Sequence, residues 1–183
     1  MDLPSPPPVL ESERLRLRPF TPADLEGLWA LESDAEVMRY GSHVPWTERA
    51  QAEAKLAQIL ARKGTDGATW VIAERASDVM LGDVVLYDLE PEHARCDVGY
   101  SLLPSAQGQG LAREALRMAL GWGFEVLGLM RIEADVDPRN TRSQRLLEKL
   151  GFQREGFLRE RWRVGGEVQD ALFYGLLRRE LIR

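Results

Sequence analysis

The stretch Gln107-Gly108-Gln109-Gly110-Leu111-Ala112-Arg113 lies between a strand-like run ending in Leu102-Leu103-Pro104 and a long amphipathic helix. Two glycines at that junction let the backbone turn tightly and bring its N–H groups close to a ligand. The helix that follows begins with unpaired N–H donors and the positive end of its dipole, which together invite an anion. A strand, a Gly-rich turn and a helix start make a phosphate cradle. Two familiar cradles fail on spacing. A P-loop needs G-x-x-x-x-G-K-[ST], and no Lys follows these glycines. A dinucleotide fingerprint needs G-x-G-x-x-G, but Arg113 stands where the third Gly belongs and would crowd the helix–strand contact. What remains is Gln-x-x-Gly-x-Ala at Gln107, Gly110 and Ala112, a pattern that a turn merely capping a helix could also carry.

The elements around this loop must position it. Residues 1–8 are proline-rich and read as a flexible lead-in, with residues 9–183 as one domain. Glu13 to Arg18 alternates charged and apolar residues, as in a half-buried strand. Thr21-Pro22-Ala23-Asp24 opens a helix to about Glu32, with Thr21 as N-cap. A second helix is expected from near Thr47 to about Arg62, ending before Gly64. Trp70 to Ala73, Val79 to Leu89 and Cys96 to Leu103 read as strands. The helix from about Gly110 to Val126 puts Leu111, Ala115, Met118, Ala119 and Trp122 on one stripe. Met130 to Val136 is the next strand, and a helix from Thr141 to Leu150 follows it, with Gly151 as its stop. Leu158 to Val164 and Val168 to Leu177 flank Gly165-Gly166, a hairpin signal.

The bulk numbers bound the function. A chain of 183 residues, 44% hydrophobic and 29% charged, suits one globular domain. A net charge of −5 argues against direct nucleic-acid binding. Cys96 is the only cysteine, and His43 and His93 lack metal-pair spacing, so neither a disulfide nor a metal site is expected. No apolar run approaches the roughly 20 residues that span a bilayer, and Met1-Asp2-Leu3-Pro4 lacks the regions of a signal peptide. The expectation is a cytoplasmic protein without a membrane partner, monomeric or homodimeric.

The second half carries further motifs: Asp97-Val98-Gly99-Tyr100-Ser101-Leu102, then Asn140-Thr141-Arg142-Ser143, then Leu147-Glu148-Lys149-Leu150-Gly151-Phe152. With Gln107–Ala112 they resemble, in order and spacing, the E-I-G-Y-x-L, Q/R-x-x-G-x-G/A, N-x-x-S and L-x-K-x-G-F elements of the GNAT superfamily of acyl-CoA-dependent N-acyltransferases. Glu13-Arg14-Leu15-Arg16-Leu17-Arg18-Pro19, Arg154 to Arg159, and Asp170 to Leu177 resemble its branch acetylating ribosomal-protein N-termini. The resemblance implies an α/β (α+β) fold. Its mixed, mostly antiparallel sheet would have six to seven strands, about four flanking helices, and a splay between the fourth and fifth strands.

In that family the arm of acetyl-CoA inserts into the splay like an extra strand. The backbone of Tyr100, Ser101, Leu102 and Leu103 would meet its amides. The N–H groups of Gln107, Gly108, Gln109, Gly110, Leu111, Ala112 and Arg113 would hold the pyrophosphate. Asn140 would steady the cofactor, or only cap the helix at Thr141. Ser143 would hydrogen-bond and protonate the leaving thiolate, or only lie in a solvated first turn. Arg142 and Arg145 would reach the adenosine phosphates, or only lie solvent-exposed on the surface.

The implied reaction is attack by a neutral amine on the thioester carbonyl, a tetrahedral oxyanion, and departure of the thiolate. A backbone N–H near Tyr100 or Leu102 would meet the oxyanion. An α-amine of pKa ~7.7–8.0 is roughly one part in ten neutral at pH 7, against about one in a few thousand for lysine at ~10.4. An α-amine acceptor therefore needs only a weak base or an ordered water. Asp97, Asp88, Glu90, Glu92 and His93 are the candidate bases, Asp97 standing where the family often has Glu. Tyr40, Trp46 and Tyr174 are candidate acceptor-lining residues, and the 39–46 loop and the Gly165-Gly166 hairpin would shape that site. A protein N-terminus is the leading acceptor. A small amine (polyamine, amino acid or aminoglycoside) is the alternative, and so is a non-catalytic acyl-CoA sensor. No G-x-S-x-G elbow points to a hydrolase.

Overall fold

The computed structural model describes residues 6–62 and 67–182. The strands are β1 (Leu10–Glu11), β2 (Leu15–Arg18), β3 (Gly67–Glu74), β4 (Met80–Glu90), β5 (Arg95–Leu102), β6 (Arg131–Val136), β7 (Gln153–Val164) and β8 (Glu167–Leu177). The α-helices are α1 (Leu25–Ser33), α2 (Arg49–Ala61), α3 (Leu111–Glu125) and α4 (Thr141–Glu148). Among the described residues the eight strands form one sheet in the order β1-β2-β3-β4-β5-β6-β8-β7. Every pairing is antiparallel except β5 with β6.

The strand count exceeds the expected six to seven because of β1, whose two residues are too few to show a period. Of the expected lead-in, residues 1–5 lie outside the described residues. Its end is pinned, since the Trp70 indole N–H donates to the Pro8 carbonyl at 2.8 Å. The end of α2 matches expectation to within a residue, and Gly64, the expected stop, lies outside the described residues. β7 begins at Gln153, well before Leu158, because its first residues pair with Tyr174 and Gly175 through a bulge. That segment is an exposed edge strand, so no apolar alternation marks it.

Helices cover both faces. The stripe of α3, together with Leu147 of α4, packs on Val84, Leu86, Cys96, Val98, Ile132 and Ala134 to form the main core. Leu28, Leu31 and Leu56 of α1 and α2 pack on Val71 and Ala73 from the other side. Strand alternation assigns the rest. Tyr100 falls on the α3/α4 side, while Asp83, Tyr87, Asp97, Glu133 and Asp135 fall on the α1/α2 side. Among the described residues no helix is long and apolar enough to cross a membrane.

The one parallel pairing is short. β5 meets β6 only at Arg95↔Arg131, Cys96↔Ile132 and Asp97↔Glu133. From Val98 onward β5 keeps β4 but leaves β6, opening the slot that the resemblance implies.

Candidate active site

At the end of β5 the chain makes a short turn over Pro104–Ala106 and reaches the glycine loop. Gly108 and Gly110 take φ of 76° and 78°, the left-handed region that glycine enters without strain. Gly110 is the N-cap of α3. The N–H groups of Gly108, Gln109 and Gly110 donate to no protein acceptor among the described residues, and those of Leu111, Ala112 and Arg113 open the helix. Arg14 fixes the loop from outside: it donates to the Gln109 carbonyl at 3.0 Å and pairs with Glu114 in the first turn of α3. The Gln107 amide donates to the Leu102 carbonyl at 2.9 Å, tying the loop to the end of β5.

A cavity of about 510 Å³ opens beside this loop. Tyr100, Ser101, Leu102, Gln107, Gly108, Gly110, Leu111, Ala112, Arg113, Asn140 and Ser143 line it, with Tyr40 at one side. The structure thus brings together most of the residues expected to hold the cofactor. It does not bring in Leu103, which packs toward the α1/α2 core, or Gln109, whose side chain folds back on the Ser105 carbonyl. The Arg113 side chain runs to the far end of α4, where its guanidinium donates to the Lys149 carbonyl at 3.5 Å, and its Nε–H is buried without a partner. Arg142 crosses the cavity to the Gln107 side-chain oxygen at 3.2 Å.

Asn140 caps α4, its Oδ1 accepting the Ser143 N–H at 3.1 Å. That bond places the Ser143 hydroxyl 2.7 Å from the Tyr100 hydroxyl, across the slot between α4 and β5. Sequence reasoning gave Tyr100 only a backbone role and missed this contact. The available signal was the alternation that turns Tyr100 to the side carrying α4. Burial pushes the Tyr100 phenol up to about 12, against the Ser143 hydrogen bond, so it stays a neutral donor.

Asp97 lies on the other face, at the last β5–β6 pair. Its carboxyl is pushed up to about 6, first by burial and then by Glu133, Asp88 and Asp135, with Arg95 opposing. Glu133 is buried but held by Arg95 and by Arg131 at 2.6 Å. Asp83, directly across from Ser101, is pushed up to about 7 by burial and the nearby Glu32.

The expected acceptor-lining residues separate. Tyr40 is at the cavity, with the guanidinium of Arg139 5.9 Å from its ring. Arg139 also binds Asp137 and, at 2.9 Å, Glu167 beyond the β7–β8 turn. Val44 packs against Gly165, so the 39–46 loop and the hairpin do meet. Trp46 packs toward the α1/α2 core, stacked on His43, and does not line the cavity. Tyr174 is only 1% exposed, a core residue of β8 whose hydroxyl donates to Glu148, away from any acceptor. An aromatic on a central strand buries more surface inward than at a rim.

Residues 14–153 match the family model of the acetyltransferase (GNAT) domain, and the chain belongs to that family. The N-acetyltransferase p20 of Bacillus licheniformis is 35% identical over 174 residues, covering 94% of this chain and 97% of that protein. Spermidine N(1)-acetyltransferase of Escherichia coli is 28% identical over 158 residues, 86% of this chain and 83% of that protein. The crystal structure of Vibrio cholerae spermidine N-acetyltransferase with CoA and spermine has a TM-score of 0.82 at 25% identity, covering 92% of this chain and 98% of that one.

Proposed function

We propose that this enzyme transfers an acetyl group from acetyl-CoA directly to a primary amine. The observation that carries the reading is the slot where β5 parts from β6, opening on a cavity with the glycine loop at its end. The free N–H groups of the loop suit the pyrophosphate. The unpaired edge of β5 from Tyr100 suits the amides of the pantetheine arm. Ser143 and Tyr100 then face the sulfur, and donate a hydrogen bond as the thiolate leaves. Asp97, behind the slot, takes the proton of the attacking amine.

An N-terminal α-amine and a small cationic amine both fit this chemistry. One observation favours the second: Asp97 and the unpaired oxygen of Asp135 lie on one face of the sheet beside the slot. The spermidine acetyltransferase relative, which matches most of the chain, supports the same choice.

The test is calorimetric titration with acetyl-CoA, then thiol release with N-terminal peptides and with polyamines. Micromolar binding and release with polyamines supports the reading. Release with peptides alone returns the acceptor to the protein N-terminus. Binding without release leaves a sensor, and no binding overturns the assignment.

A further inference from the structure

Asp135 sits on β6 two residues beyond Glu133, the last residue that β5 pairs with. It therefore stands inside the splay, on the same face as Asp97 and about 7 Å further along the strand. One of its oxygens, Oδ2, accepts from Arg161 Nε at 3.1 Å. The other, Oδ1, is buried and has no partner. An unpaired carboxylate oxygen out of water is costly, and native structures keep few of them.

Arg161 comes to Asp135 by an irregular route. It belongs to β7, which is separated from β6 by β8. Between Leu158↔Ala171 and Trp162↔Gln169, β7 carries three residues against the single Asp170. Glu160 within this bulge takes φ of +53°, a left-handed conformation, and its N–H is tied to Asp170 Oδ1 at 2.8 Å. The bulge turns Arg161 over β8 toward the slot. Asp135 has a side chain 14% exposed, whereas that of Arg161 is 47% exposed. The carboxylate is thus fixed and buried, and its counter-ion is a long, half-exposed side chain on an edge strand.

We propose that Asp135 is a specificity-determining residue, and that its open oxygen binds a second cationic group of the acceptor. Arg161 holds the remaining oxygen and screens the site until the acceptor arrives. This rests on the acetyl-transfer reading, with Asp97 at the reacting amine. The spacing between the two carboxylates suits a diamine whose nitrogens are separated by about four or five methylenes.

The experiment compares 1,5-diaminopentane with pentylamine, which differ in the second charge, and follows thiol release. The wild type is expected to prefer the diamine in kcat/KM. Asp135→Asn keeps the shape and removes the charge. It should cut that preference about ten- to hundred-fold, the range of a charged hydrogen bond, through KM of the diamine. Acetyl-CoA affinity should hold, and the preference is read at pH 8, where Asp97 is ionised with or without the Asp135 charge. Arg161→Met, at a half-exposed site, should lower the KM for the diamine, and supplies a test should Asp135→Asn fold poorly. An unchanged diamine preference in both variants, with acetyl-CoA affinity intact, overturns the proposal alone. No turnover with any amine by the wild type overturns the acetyl-transfer reading and the proposal with it.

Discussion

The Tyr100–Ser143 hydrogen bond can be taken apart with two conservative changes, Tyr100→Phe and Ser143→Ala, and their combination. The two oxygens are 2.7 Å apart, and Asn140 takes the Ser143 N–H and leaves its hydroxyl free. Tyr100, held neutral, can donate to the serine oxygen while the serine proton points into the cavity. If the bond is only structural, each single change removes about 0.5–1.5 kcal/mol. For a domain of this size that lowers Tm by roughly 2–4 °C per kcal/mol, with kcat unaffected. If the pair supplies the proton to the leaving thiolate, kcat falls by about 10²–10⁴, or roughly 2.7–5.4 kcal/mol of barrier. Acetyl-CoA affinity stays within about twofold, because the loop, not the hydroxyls, carries the anion. Two residues acting as one relay are non-additive, so the double variant should be no slower than the worse single. Thiol release gives kcat, calorimetry gives Kd, and thermal melts give Tm. Both singles within about threefold of wild-type kcat, with Tm lowered, would refute the proton-donor role.

Two further outcomes follow from the same geometry. Asp97 works as a base only when ionised, so kcat/KM, expressed per neutral amine, should rise as pH rises through about 6 and then level. Asp97→Asn should erase that limb, and a wild-type profile flat from pH 5 to 7 speaks against Asp97 as the base. Gly110→Ala has open space around its new methyl, the nearest atom being Arg14 Nη2 at 3.8 Å. It should therefore show only the left-handed backbone cost of about 1–2 kcal/mol. Gly110→Glu adds a negative charge at the cradle and should weaken acetyl-CoA binding more than about 100-fold. Equal calorimetric affinity in the two variants would refute the cradle.

What could be read from the chain was whatever local chemistry dictates. Gly165 and Gly166 take φ of 57° and 89° and make the two-residue hairpin that their identity demands. The stripe of α3 and the N-cap at Asn140 follow from spacing alone in the same way. The count of strands and the start of β7 did not, because β1 is two residues long and the early part of β7 is an exposed edge. In the site, the loop and the helix start were legible, since glycine and a helix N-terminus have a fixed chemistry wherever they occur. The Tyr100 hydroxyl was not, because its meaning depends on Ser143, 43 positions away, being carried to the same side of the sheet. Tyr174 and Trp46 were misplaced for the converse reason: aromatic residues near loops look like rims until the sheet order makes one of them a core strand.

Asp135 marks the boundary of what a pattern can give. Arg131, Glu133 and Asp135 alternate with Ile132, Ala134 and Val136, which places three charges on one face of a central strand. The sequence could have signalled that such a face is not packed under a helix. Two of the three are absorbed into the ladder that joins Arg95, Glu133, Arg131 and Glu155. The third is left in the splay, with one oxygen bound by an arginine from two strands away and the other unmet. That inequality arises from the end of the β5–β6 pairing and from the β7 bulge, both products of long-range pairing. Strand alternation selects the residues that face the acceptor. The tertiary fold decides which of them is left free to bind it.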